Sequence, residues 1–233
     1  MRVAALYDIH GNLPALEAVL ADPRLSGVDA VVCGGDVVWG PWQAECVERL
    51  LEVGSLFVAG NCERDVLDPE SEIDRWCSAQ LGKEERARAA GWPATVELDV
   101  EGLGPVLFCH ATPRRDDEIL TRVTPDEEVE EACGGVPLVV GGHTHVQFDR
   151  VTRTTRLVNA GSVGMPYQGR TAAFWALLGP DVELVATDYD VDDAVTRIRA
   201  SGYPGADDLV ETLLTPHSAE EATEFFEAQR RGA

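Results

Sequence analysis

The segment Val3-Ala-Ala-Leu-Tyr-Asp-Ile-His-Gly-Asn-Leu-Pro14 is an apolar run that stops at a polar loop containing glycine. Pro14 suits the first turn of a helix, and Leu16, Val19 and Leu20 recur at helical spacing after it. The stretch therefore predicts a buried strand, a polar loop and an amphipathic helix in series.

The same order recurs twice in the next fifty residues. Ala30–Cys33 is a predicted buried strand that ends at Gly34-Gly-Asp36, and Gln43–Val53 is a predicted helix. Ser55–Val58 is a third predicted strand and ends at Gly60-Asn-Cys-Glu63. Strand, loop and helix in series are typical of a largely parallel sheet inside an α/β protein.

Strands and helices continue to alternate along the rest of the chain. The further predicted elements are a helical stretch Glu70–Gly91, strands Thr95–Val100 and Pro105–Cys109, an acidic helix Pro125–Cys133, a strand Val136–Val140, the hairpins Gln147–Val151 with Thr155–Val158 and Thr171–Leu178 with Val182–Thr187, and a mostly helical Val191–Gln229. We find no repeat and no convincing linker. We predict one domain over residues 1–233, with a helical C-terminal segment at about 191–233.

The amino-acid composition of the chain argues against several classes of function. The 233 residues include 19 basic and 41 acidic ones, so the formal net charge is −22. This balance argues against long nucleic acids and anionic membranes as partners. The start of the sequence has too short an apolar run for a signal peptide, and no stretch is long enough to span a membrane. We expect a cytoplasmic protein whose six cysteines are reduced, and the absence of a Cys-x-x-Cys pair excludes a zinc ribbon.

Polar side chains follow the ends of the predicted buried strands. In open α/β sheets the loops at the carboxyl ends of strands form the ligand crevice. Each motif alone is common, since Asp-x-His and Gly-Asn usually mark turns, but their coincidence favours a site. In an extended backbone, residues two apart point to the same side, which applies to both Asp-x-His and His-x-His. The residues expected to converge are Asp8, His10, Asp36, Asn61, His110, His143 and His145.

These motifs, in this order, resemble the signature of the calcineurin-like metallophosphoesterases over roughly residues 1–165. The resemblance implies a four-layer α/β/β/α sandwich, in which two mixed β-sheets are flanked by helices, and a two-metal site. Carried over position by position, it implies that one metal is held by Asp8, His10 and His145, the other by Asn61, His110 and His143, and that Asp36 bridges them.

The ligand chemistry is consistent with this resemblance. Imidazole, carboxylate and amide groups suit divalent ions: manganese is the first choice, and iron, zinc, nickel, cobalt and magnesium are the alternatives. Two such ions can activate a water and clamp the oxygens of an in-line displacement at phosphorus. We therefore expect a phosphoesterase that acts on a small phosphate ester by attack of metal-bound hydroxide. The rival in another class is a non-catalytic scaffold of the same fold, and a homo-oligomer is left open.

Cys62 departs from the pattern of the family's phosphomonoesterases, which usually carry histidine directly after Gly-Asn. A thiol carries no positive charge near neutral pH, so it is a poorer partner for a dianionic monoester. Some bacterial and archaeal members with Gly-Asn-Cys resemble phosphodiesterases. We predict a phosphodiesterase; a phosphomonoesterase or a hydrolase of bis-nucleoside polyphosphates is the alternative.

Four further residues are candidates for contact with substrate. Asn12 is predicted to contact phosphate or to start a helix. Arg64 is predicted to bind the phosphoryl group or to form a surface salt bridge. Arg114 and Arg115 follow the His110 loop and are candidates for reaching phosphate.

Overall fold

The computed structural model describes residues 1–232, in which ten strands form two five-stranded sheets. The strands are β1 (Val3–Leu6), β2 (Ala30–Cys33), β3 (Leu56–Phe57), β4 (Thr95–Val100), β5 (Gly104–Cys109), β6 (Leu138–Gly141), β7 (Phe148–Val151), β8 (Arg156–Asn159), β9 (Ala173–Leu178) and β10 (Val182–Thr187). The strand order is β10-β9-β1-β2-β3 in the first sheet and β4-β5-β6-β8-β7 in the second.

Both sheets are mixed, with three neighbouring parallel strands and two antiparallel pairings in each. In the first sheet β1 runs parallel to β2, and β2 to β3, whereas β9 is antiparallel to β1 and β10. In the second sheet β6 runs parallel to β5 and β8, whereas β4 and β7 are antiparallel to their neighbours. The predicted hairpins are the pairs β7–β8 and β9–β10, so both predictions are confirmed.

The helices of residues 1–232 flank this pair of sheets. They are α1 (Leu13–Leu20), α2 (Gln43–Glu52), α3 (Asn61–Leu67), α4 (Glu72–Gln80), α5 (Lys83–Ala89), α6 (Asp126–Cys133), α7 (Val191–Ala200), α8 (Ala206–Leu214) and α9 (Ala219–Gly232).

The alternation of side chains along β1 shows how the layers form. Ala4 and Leu6 pack with the helical residues Leu16 and Leu50, on the outer face of the first sheet. Val3, Ala5 and Tyr7 face the other way and pack in the core between the sheets, together with residues of β5, β6 and β8. On the outer face of the second sheet, α6 packs against side chains of β6, β7 and β8. The predicted four-layer sandwich is thus confirmed.

Two predictions about helices are wrong in detail. The segment Gly60-Asn-Cys-Glu63, interpreted as the polar loop after the third strand, forms the N-cap and the first turn of α3. The predicted helical stretch Glu70–Gly91 is two helices, α4 and α5, because the chain is extended at Leu81 and Gly82. Among residues 1–232 no helix is both long enough and apolar enough to cross a membrane.

Candidate metal centre

The seven expected side chains converge between the two sheets. Asp8 and His10 follow β1, Asp36 follows β2 and Asn61 begins the helix after β3, so four of the residues come from the first sheet. The other three come from the second sheet, with His110 after β5 and His143 and His145 after β6. The parallel strands of each sheet end at the same edge, which brings these loops together.

One half of the cluster contains Asp8, His10 and His145. The Nε2 atoms of the two histidines are 3.1 Å apart. The Oδ1 atom of Asp8 lies 3.3 Å from Nε2 of His145 and 3.9 Å from Nε2 of His10. One atom from each residue can therefore face a common centre, as a metal ion requires.

The other half contains Asp36, Asn61, His110 and His143. Nε2 of His110 lies 3.1 Å from Oδ1 of Asn61 and 3.4 Å from Oδ2 of Asp36. The ring centroid of His143 is 5.4 Å from that of His110. Oδ2 of Asp36 is also 4.0 Å from Nε2 of His10, which belongs to the first half. Asp36 therefore stands between the two halves.

Backbone carbonyls orient two of the imidazole rings. Nδ1 of His110 donates to the carbonyl of Gly34 at 2.9 Å, and Nδ1 of His145 donates to the carbonyl of Met165 at 2.7 Å. With its proton on Nδ1, each ring can present the lone pair of Nε2 to a metal ion. Such carbonyl partners are common behind metal-binding histidines.

The two aspartates each leave one oxygen facing the cluster. Oδ2 of Asp8 accepts from the backbone N–H of His143, and Oδ1 of Asp36 accepts from that of Cys62, both at 2.9 Å. Oδ1 of Asp8 is fully buried, yet it has no hydrogen-bond partner among residues 1–232. A buried carboxylate oxygen without a partner is costly, and a divalent cation would satisfy it. The donor set therefore fits divalent ions.

Mutual charge shifts the titration of these groups. Burial raises the pKa of Asp36, but the charges of His110 and His10 outweigh it and hold the pKa below its usual range. Burial lowers the pKa of His110, but the charge and hydrogen bond of Asp36 outweigh it and raise the pKa to about 10. Burial, together with a neighbouring histidine, lowers the pKa of His10 and of His143 to about 4. Two of the four rings are therefore neutral and ready to act as ligands.

The backbone is left-handed at five of the seven residues. Positive φ angles, between 46° and 66°, occur at Asp8, His10, Asp36, His143 and His145, and these are the only residues other than glycine with such angles in the range 1–232. This conformation costs about 1–3 kcal/mol per residue and is concentrated at functional sites. The expectation of an extended backbone within Asp-x-His and His-x-His is therefore wrong, because tight turns bring these side chains inward.

Two glycines allow the chain to approach the carboxylates. A Cβ atom at Gly142 would overlap the carboxylate of Asp8, and a Cβ atom at Gly60 would overlap that of Asp36. Any other residue at either position would displace a side chain of the cluster.

Glu63 supports the site and is missed by the sequence analysis. Its carboxylate accepts from the backbone N–H groups of Gly60 at 2.6 Å, Asp36 at 2.8 Å, Val37 at 2.9 Å and Val38 at 3.1 Å. Glu63 therefore joins the loop after β2 to the loop after β3. The signal that could have revealed it is a glutamate three residues after the N-cap Gly60, which is the spacing of a capping box.

Of the predicted substrate residues, Cys62 lies at the centre, whereas the side chain of Asn12 is engaged elsewhere. The Sγ atom of Cys62 is close to ligand atoms of His10 and Asp36, and burial followed by the Asp36 charge raises the pKa of this thiol well above its usual value. Asn12 caps α1 by accepting from the N–H of Ala15 and donates to the carbonyl of Gly164. Contact of Asn12 with phosphate stays a prediction.

The three arginines near the site are all paired with acids. Arg64 contacts Asp116, Arg114 contacts Glu118 and Glu131, and Arg115 contacts Asp117. All three arginines line a groove of about 480 Å³ that reaches His110. Arg64 thus forms the surface salt bridge that was the alternative prediction for it. Contact with phosphate stays a prediction for all three arginines.

Comparison with known proteins identifies the family. The calcineurin-like phosphoesterase superfamily domain matches residues 1–178. The chain is 29% identical to the uncharacterised protein MJ0912 of Methanocaldococcus jannaschii, over 87% of this chain and 93% of that protein.

Two solved structures share the fold. A metallophosphoesterase from Sphaerobacter thermophilus superposes with a TM-score of 0.76 at 25% identity, covering 92% of this chain and 99% of the other. The hypothetical protein PH1004 from Pyrococcus horikoshii OT3 superposes with a TM-score of 0.77 at 19% identity, covering 93% and 99%. The chain belongs to the calcineurin-like phosphoesterase superfamily.

Proposed function

We propose that the protein is a two-metal phosphoesterase that hydrolyses phosphodiesters or related small phosphate compounds. The observation that carries the proposal is the convergence of carboxylate, imidazole and amide donors from five loops around the unpartnered Oδ1 atom of Asp8. A scaffold would have little reason to keep this complete donor set in a strained backbone.

The ligands divide between the two halves of the cluster. In our proposal Asp8, His10 and His145 would hold one ion, Asn61, His110 and His143 would hold the other, and Asp36 would serve both. The mixed nitrogen and oxygen donors suit divalent ions, for which we propose manganese first, with iron, zinc, nickel, cobalt or magnesium as alternatives.

When bound, the two ions would activate a water molecule and neutralise charge on the phosphoryl oxygens. The chain contributes orientation and charge balance. Glu63 holds the loops of Asp36 and Asn61 in register, and the carbonyls of Gly34 and Met165 fix two of the rings. Only Asp8 and Asp36 among the proposed ligands carry negative charge, so the loaded site would be cationic and would attract a phosphate ester.

The neutral thiol of Cys62 supports a preference for diesters. It lies beside Asp36, where a protonated imidazole would add positive charge toward a dianionic monoester. A diester carries one negative charge fewer and needs less compensation. The proposed substrate is therefore a small diester, and the acidic surface argues against long nucleic acids.

Metal removal tests the proposal. Purified protein is stripped with EDTA, reloaded separately with Mn, Ni, Co, Zn or Mg, and assayed with aryl diesters and monoesters. We expect turnover to fall at least about a hundredfold on stripping and to return with one or more ions. His110→Ala is expected to lose a similar factor and to bind less metal, as measured by mass spectrometry.

His217→Ala is the matched control for metal content, because His217 is the one histidine outside the proposed ligand set. Its metal content should equal that of the parent. Full activity in the stripped protein, or in His110→Ala, would contradict the proposal.

A further inference from the structure

An aromatic pocket lies next to the metal centre. It has a volume of about 460 Å³ and is lined by Tyr167, His217, Glu221, Ala222, Phe225 and Phe226. Except for Tyr167, these residues belong to helix α9 and the segment before it, beyond residues 1–178 that match the family domain. The pocket is thus built by a part of the chain that the family's own motifs do not include.

Tyr167 belongs to both the pocket and the metal centre. Its ring stacks on that of the proposed ligand His145, with centroids 5.0 Å apart and planes at 18°. On the pocket side, the ring of Tyr167 lies 6.1 Å from that of His217 and 6.4 Å from that of Phe226. The ring of Tyr167 therefore joins the pocket to the metal centre.

Backbone hydrogen bonds hold the lining of the aromatic pocket in place. The N–H of Gly169 donates to the carbonyl of His217 at 2.8 Å, which ties the Tyr167 loop to the chain before α9. The same loop supplies the Met165 carbonyl that accepts from His145. The pocket and the ligand His145 are thus supported by one short segment.

The lining favours a flat, uncharged ring. Three aromatic side chains offer faces and edges for stacking, and Phe225 exposes 58% of its surface, which a ligand would cover. Glu221 would repel a phosphate group. Its Oε2 atom accepts from Ser218 at the start of α9, while Oε1 has no hydrogen bond within residues 1–232 and can accept from a ligand N–H.

We infer that this pocket binds the organic part of the substrate, and that this part is a heteroaromatic ring bearing N–H donors, as in a nucleobase. The inference rests on the proposed function, since the phosphate of the same molecule would lie at the metal centre. The aromatic pocket thereby selects the substrate, and the metals bind the group that reacts.

Binding of two related phosphates tests this inference. AMP and ribose 5-phosphate share the sugar and the phosphate, but only AMP carries a base. With the metal-loaded protein, calorimetry should give a dissociation constant about tenfold lower for AMP than for ribose 5-phosphate. Stacking of one base on an aromatic side chain strengthens binding by about this factor. In Phe226→Ala the two dissociation constants should agree within about twofold, while that for ribose 5-phosphate stays unchanged.

Phe225→Ala is the second variant, because an exposed side chain is not needed for folding, and it should reduce the AMP advantage by several-fold. Val151→Ala, at an equally apolar side chain exposed by 72% on β7, is the control and should keep the full advantage.

Equal dissociation constants for the two phosphates in the parent protein would overturn the inference. So would a dimer in light scattering that dissociates in Phe225→Ala while the AMP advantage persists, because a second copy would then cover the pocket. Turnover of bis(4-nitrophenyl) phosphate is measured in parallel. If it depends on metal while AMP has no advantage, the inference fails and the proposed function stands.

Discussion

At the scale of single residues, Asp8 and Asp36 share one arrangement. Each accepts a hydrogen bond from a backbone N–H with one carboxylate oxygen and turns the other oxygen toward the histidines. The first bond fixes the carboxylate without neutralising it, so the free oxygen keeps its affinity for a cation. Two residues from different strands thus acquire the same role by the same means.

Cys62→His tests the role of the thiol beside this pair. An imidazole at this position can supply a proton and positive charge, so we expect the ratio of monoester to diester turnover to rise about tenfold. The ratio is measured with 4-nitrophenyl phosphate and bis(4-nitrophenyl) phosphate at equal metal loading. Cys77→Ser, at a buried cysteine outside the cluster, is the control and should leave the ratio unchanged. An unchanged ratio in Cys62→His removes the basis for the diester preference.

The seven proposed ligands could be predicted because each one follows a strand whose apolar run is visible in the sequence. Their supports could not be predicted in the same way. The carbonyl of Met165 accepts from His145, but a carbonyl group is present at every residue and leaves no sequence signal. The role of Glu63 could not be predicted from its residue type, because a glutamate is expected at the surface unless several hydrogen-bond donors surround it, whereas Glu63 is buried.

At the scale of elements, strands were predicted more accurately than short helices. β2 has the predicted bounds, because four apolar residues end at a glycine pair. Helix α3 was missed because Gly60-Asn61 is a common turn signal, and only tertiary contacts show that Glu63 closes the first turn. The break between α4 and α5 lies at Leu81 and Gly82, and Gly82 is its only signal in a stretch that otherwise favours helix.

Glu227 attaches the C-terminal helix α9 to the rest of the protein. Its carboxylate accepts from the hydroxyls of Thr121 and Thr124, both at 2.7 Å, and pairs with Arg230. Burial opposes the charge of Glu227, but these partners outweigh it and lower the pKa from 4.5 to about 2. The charged form is therefore stabilised in the folded state.

This shift predicts a pH dependence of stability. The folded pKa is depressed, so the stabilisation is complete above about pH 4.5 and is lost as the pH falls toward 2. Glu227→Gln should lower the free energy of unfolding at pH 7 by about 1–3 kcal/mol, with a smaller difference from the parent at pH 3. Urea titrations at both pH values measure this. Glu224→Gln, at an exposed position of the same helix, is the control and should match the parent, and a pH-independent difference for Glu227→Gln would contradict the explanation.

At the scale of the whole molecule, the net charge of the chain and the charge of the proposed metal-loaded centre have opposite signs. The chain as a whole carries −22, whereas the proposed metal-loaded centre is locally positive. The arginines nearest to the centre do not reverse the global field, because acids pair with each of them. In the proposed metal-loaded protein, an anionic substrate would therefore be repelled at long range and attracted at short range.

The dependence of kcat/KM on ionic strength distinguishes the long-range repulsion from the short-range attraction. Added salt screens the long-range repulsion more than the contacts within the site. We expect kcat/KM for a small diester to rise about twofold between about 10 mM and 150 mM ionic strength, and to rise more for a dianionic monoester. Initial-rate kinetics at constant metal concentration measure this. A steady fall of kcat/KM with salt would show instead that attraction controls the encounter.

The origin of the ligands in both sheets has a consequence for the lifetime of the protein. Asp8, His10, Asp36 and Asn61 come from one sheet, and His110, His143 and His145 from the other. Ions held between them would act as cross-links across the sandwich, and by mass action their binding free energy would add to the free energy of unfolding. A shortage of metal would then lower the amount of folded protein as well as its turnover, so that the supply of the proposed ion would govern abundance and catalysis together.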